Sequence, residues 1–263
     1  MTVSLDAPAP GTAVSPLLTR LAAERATGAL LRDRGTLFLE DGKIVHAESP
    51  ATPGLDVLLT TGGALDPERW REAVDRAGAR RGVARFLVDS GGLTGGELEI
   101  AHVAAVHDAA FFALSPNSGP SRFRRGVTHW MGAVRPLEAE AVERETRRRV
   151  ELLDAVWPYP ALDTAPVVPR PPAPGQTVTP RQRRLLRHAD GVRTPAGLAW
   201  LLGRPAFDTL LEVRRLAAAG LVETPFDPVP APPPPVFPTW VTEAQPPDVA
   251  LLRRLRDALE AGL

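Results

Sequence analysis

Apolar positions along the chain change their spacing several times, and each change predicts an element. Residues 28–48, GALLRDRGTLFLEDGKIVHAE, alternate with a period of two and carry turn signals at Asp33–Gly35 and Asp41–Gly42. That pattern predicts a three-stranded antiparallel meander, because Asp-Gly supplies the positive φ values that a tight hairpin turn needs. With a two-residue turn, Glu40 faces Lys43, Leu39 faces Ile44, Phe38 faces Val45 and Leu37 faces His46. His46 is then expected on the face of Leu37, Leu39 and Ile44, as a packed residue of the hairpin.

Helical spacing takes over on either side. Ser15 is expected to cap a helix opened by Pro16, with Leu17, Leu18 and Leu21 as its apolar stripe. Leu55, Leu58 and Leu59 predict a second helix. Asp66 and Pro67 open a third, with Trp70 and Val74 inward. Further on, Ile100, Val103, Val106, Ala110 and Phe111 predict a helix capped at Thr94. Residues 121–134, SRFRRGVTHWMGAV, are expected to form a closing strand pair. The charged segment 136–157 predicts an amphipathic helix buried along Val142, Val150, Leu153 and Trp157, with ERETRRR solvated.

Proline then divides the chain. Seven prolines fall within residues 158–174 and ten within 225–247, compositions that favour extended polyproline conformation over helix or central strand. The expected organisation is an α+β domain at 12–157, a proline-rich linker at 158–175, a small helical domain at 176–224, a proline-rich spacer at 225–247 and an amphipathic helix at 248–263.

In the small domain, Thr179-Pro180 and Thr194-Pro195 open two short helices and Gly203 closes the second. A third carries Phe207, Leu210, Leu211, Val213 and Leu216 and stops at Gly220. Three helices with a tight second-to-third turn predict a winged-helix or helix-turn-helix unit with a truncated wing. The recognition helix would expose Asp208, Thr209 and Glu212. The terminal helix aligns Val249, Leu252, Leu255, Leu259 and Leu263 on one stripe; it is expected either to dock on its own chain or, through Leu252, Leu255 and Leu259, to capture a partner or a second copy.

Composition narrows the classes. The 263 residues are 44% hydrophobic with a formal net charge of zero and no cysteine, which allows real cores and excludes a disulfide framework or thiolate metal site. No apolar run approaches the ~18 residues of a membrane span, and the first residues lack a basic, then apolar, leader pattern. The expectation is a cytoplasmic protein without membrane contact. Lys43 is the only lysine and Asn117 the only asparagine, so arginine richness follows overall composition and says nothing by itself about nucleic acid. Locally, residues 176–225 hold eight arginines against four acids, which favours phosphate contact.

The segments ATGALLRDRGTLFLEDGKIVHAES, GLDVLLTTGGALDPERW and LEIAHVAAVHDAAFFAL together resemble the PATAN domain, named for the PatA N-terminus. The resemblance covers about 140 residues, and its most specific element is the hairpin followed by a Gly-Leu helix start. The pattern ADGVRT…LAWLLG…LLEVRRLAAAGLV is similar to the winged-helix module that accompanies such domains. The resemblance implies a bacterial signal-transduction protein acting through protein contacts, beside response-regulator or roadblock modules, and it brings no catalytic residues.

Motifs for chemistry are few. The VDSGG at Val88–Gly92 lacks the first glycine and the proline of the serine-protease signature, in helical surroundings. No phosphate-binding glycine motif is present. His102 and His107, five apart, do not share a helical face as a metal pair would. The sequence therefore predicts a non-enzymatic regulator without cofactor or metal. Its expected output is transcriptional, with DNA contacted by Arg181, Arg183, Arg184, Arg187 and Arg204. The alternative is a protein–protein adaptor, as in roadblock and small-GTPase signalling, without DNA binding.

Overall fold

The computed structural model describes residues 15–115 and 120–224. The expected spacer and the terminal helix with Leu252, Leu255 and Leu259 lie outside the described residues.

The described chain is mixed α+β. Helix α1 (Pro16–Ala23) precedes β1 (Gly28–Arg32), β2 (Gly35–Glu40) and β3 (Lys43–Glu48). Helices α2 (Leu55–Thr61), α3 (Pro67–Ala77), α4 (Val83–Asp89) and α5 (Gly95–Ala113) follow. Strand β4 (Arg122–Arg125) leads to the long helix α6 (Ala139–Val156). The last three helices are α7 (Pro180–Leu186), α8 (Pro195–Leu202) and α9 (Ala206–Ala218). The four strands form an antiparallel sheet in the order β3-β2-β1-β4.

Local chemistry sets most helix starts. Ser15 Oγ accepts from Leu18 N–H, Asp66 from Glu68 N–H, and Thr194 from Gly197 N–H, each just before a proline that needs no donor of its own. Thr94 with Glu97 and Thr179 with Gln182 form reciprocal capping boxes. The hairpin turn is equally local: Asp41 and Gly42 both have positive φ, 52° and 79°.

One sheet face is the main core. Leu30, Leu37, Leu39, Ile44 and Ala47 pack on Leu18 and Leu21 of α1, on Val106, Ala109, Ala110 and Ala113 of α5, and on Val142 of α6. A second cluster joins α2, α3, α4 and the first half of α5 around Leu59, Leu87 and Met131.

Several expectations need correction. The β2–β3 register slips by one residue after Leu39–Ile44, so Phe38 rather than Leu37 faces His46. The slip leaves Val45 as the extra residue of a bulge and moves His46 to the other face from Leu37, Leu39 and Ile44. Only one strand, β4, forms where a closing pair was expected; the residues after it are irregular and carry His129, Trp130 and Met131. Ile100 is 74% exposed, while His102 and Asp108 of the same helix are buried. The stripe failed because α5 packs against β2, β3, α2, α4, α6 and α9, so burial on it no longer follows a single face. Val150 likewise lies on the exposed side of α6.

The proline-rich segment 158–175 is a packed strap rather than a free linker. Its Leu162 and Val167 are fully buried with Leu185, Leu198, Val213 and Leu216. Pro169 pairs with Val222, and Arg170 N–H donates to Leu221 O at 2.8 Å, so the chain leaving α9 meets this strap where a wing strand was expected.

Candidate functional site

Two arrangements stand out, a cleft with a histidine cluster and the seat of α9. The cleft encloses about 660 Å³ beside the end of β3. His46 and Glu48 line it together with Trp70, Trp130 and Trp200, three of the five tryptophans of the chain. Trp200 comes from α8, so the C-terminal helices complete the wall.

The bulge at Val45 brings His46 among two other histidines from distant segments. Its ring stacks on His129 at a centroid distance of 3.8 Å and lies 5.5 Å from His102. All three are buried: His46 is 6% exposed, His102 0% and His129 3%. The Val45 carbonyl can only accept, so His102 donates Nε2–H to it at 2.9 Å; its Nδ1 is a bare lone pair without a partner. Met131 N–H donates to His129 Nδ1 at 3.3 Å, which places the His129 proton on Nε2, from where it is donated to Glu48 Oε1 at 2.9 Å. Burial, reinforced by the neighbouring His129 and His102, holds His46 well below its ordinary value. Burial brings His102 down to about 4, against the opposing hydrogen bond to Val45. Both rings are therefore neutral at physiological pH.

Two hydroxyls of the lining are hydrogen-bonded to backbone carbonyls. Ser49, the serine in its lining, donates its hydroxyl to Arg34 O at 2.7 Å. Thr52 donates to Ser49 O at 3.2 Å.

The second arrangement concerns the expected recognition helix. Asp108 of α5 accepts from Ala206 N–H at 2.6 Å and from Phe207 N–H at 2.7 Å, capping α9 with a buried carboxylate. Phe207, Leu210 and Leu211 pack with Leu153 of α6 and with Phe111 and Phe112 of α5. The Arg149 guanidinium lies 4.5 Å above the Phe207 ring. Further along the same face, buried Arg214 donates twice to Asp163 of the strap, at 2.8 and 2.6 Å, and to Trp157 O at 2.7 Å. Thr209 and Glu212, expected on the accessible side of α9, are 0% and 4% exposed. Only Asp208 of that trio faces solvent.

The arginines expected to contact DNA divide. Arg181, Arg183, Arg184 and Arg187 are exposed on or beside α7. Arg204 is half-buried, and burial with the nearby charges of Arg181 and Arg184 lowers its pKa, so these three form one cationic group. Arg181 also lies 3.4 Å from Glu212, which offsets part of that charge. Sequence reasoning missed the clustering of His46 with His102 and His129 and the burial of Asp108. Both depend on contacts across 50 or more residues, and no local pattern marks them.

No family model, curated protein or solved structure matches this chain.

Proposed function

We propose that this protein is a non-catalytic regulatory adaptor that works through protein contacts, with its helix-turn-helix unit docked on the α+β domain. The observation that carries the reading is the burial of α9. A helix that reads DNA enters the major groove with its N-terminal residues against the bases. Here the first two N–H groups of that helix are taken by Asp108, and the adjoining face is packed on α5 and α6. A groove-bound α9 would have to leave this seat.

The exposed arginines of α7 then serve as a cationic face for an acidic protein surface. The resemblance to PATAN proteins points to a roadblock or small-GTPase signalling partner.

Fluorescence-anisotropy titration of the full-length protein against mixed genomic DNA fragments, at several salt concentrations, tests this reading. The expected result is no saturable binding even at low salt, and no difference for the Arg183→Ala/Arg184→Ala variant. Tight binding that falls steeply with salt, with a shallower slope in the variant, would restore the DNA-binding regulator.

A further inference from the structure

We propose that His46, Glu48 and His129 form a binding site for a divalent transition-metal ion of the zinc class, opening onto the tryptophan-lined cleft. One ligand atom from each residue lies within 4.8 Å of the other two. A tetrahedral zinc site with bonds of about 2.0–2.2 Å places its ligand atoms roughly 3.4 Å apart. The cluster must contract by up to about 1.4 Å, and its most exposed member is suited to do so. The Glu48 side chain is 53% exposed, and its Oε1 is already 2.9 Å from His129 Nε2.

The donor set selects the class of ion. Two imidazoles with one carboxylate suit zinc and its first-row neighbours, whereas calcium and magnesium prefer sets made of oxygen alone. Neutral rings are the ligating form of histidine. His129 needs its Nε2 lone pair free, so its proton moves to Nδ1 and the long 3.3 Å contact from Met131 N–H is given up. His102 stands behind His46, its Nε2 3.4 Å from His46 Nδ1, and is not one of the ligands. Three protein ligands leave a coordination position for water or for a molecule in the cleft.

Packing alone explains the cluster poorly. Three imidazoles are desolvated together and His102 Nδ1 has no partner, whereas apolar rings would fill the same space without that penalty. The metal site stands apart from the adaptor reading, and either can fail without the other.

Calorimetric titration of the chelator-treated full-length protein with zinc chloride is the test, with cobalt(II) absorption as a second readout. One zinc per chain is expected. Glu48→Gln and His129→Gln should each weaken binding at least about tenfold and abolish the ligand-field bands of bound cobalt, while His188→Gln, at an exposed position away from the cluster, leaves both unchanged. Because His129 is buried, Glu48→Gln decides the matter if His129→Gln fails to fold. No zinc uptake by the wild type, or equal uptake by Glu48→Gln, overturns the proposal.

Discussion

Asp108 shows how one side chain can serve two helices under opposing demands. It is almost wholly inaccessible to water, yet it caps α9 and lies 3.8 Å from the Arg149 guanidinium. Burial pushes its pKa from 3.8 up to about 6, winning over the two backbone donors and Arg149, which favour the carboxylate. The folded state therefore holds a proton between pH 3.8 and about 6 that the unfolded state has released. The stabilisation from that proton is full below the unfolded value and is lost as the pH rises through the folded one. Asp108→Asn cannot ionise and serves as the reference. Wild type should lose about 2 kcal/mol relative to Asp108→Asn between pH 4 and pH 7. Urea unfolding of both proteins at the two pH values measures this difference, and a constant offset would show that burial does not perturb the group.

At the level of elements, Phe207 is one of the residues that seat α9. Its ring meets Phe111 edge to face at 5.2 Å, and Arg149 covers it at 4.5 Å. Phe207→Ala should lower stability by about 3–5 kcal/mol, read as a drop in the urea midpoint. A change below about 1 kcal/mol would mean that α9 is only loosely seated. The same elements show what could be read in advance. The starts of α1, α3, α5, α7 and α8 were legible because a capping side chain and a following proline, or a reciprocal glutamate or glutamine, act within four residues. The Asp41-Gly42 turn was legible for the same reason. The bulge at Val45 was not, since alternation does not reveal one extra residue. Nor was the burial of Thr209 and Glu212, because which side of a helix is covered depends on the neighbours it finds. Of the proposed metal cluster, His46 was visible as a residue but not as a site; Glu48 shares its strand, and His129 arrives from the loop after β4.

For the whole molecule, the question is whether the described residues up to 224 unfold as one body. The proline strap is packed into the C-terminal core, and α8 approaches α2 closely at Gly203. A β-carbon at Gly203 would collide with the Thr61 side chain, and the left-handed φ of +58° there adds strain for any other residue. Exposing α9 requires the separation of Phe207, Leu210 and Leu211 from α5 and α6. At about 1.5–3 kcal/mol for each large apolar side chain, that opening amounts to roughly 5–9 kcal/mol, so the open form would be rarer than about one molecule in several thousand. A ligand that selected it would need at least a comparable preference for the open form. Native-state hydrogen exchange tests the point directly. Amides of β1, β2 and α9 should open with a common free energy equal to that of global unfolding. If α9 opens several kcal/mol below the sheet, α7–α9 form a separable unit. DNA would then need to overcome only that smaller opening energy to reach the helix.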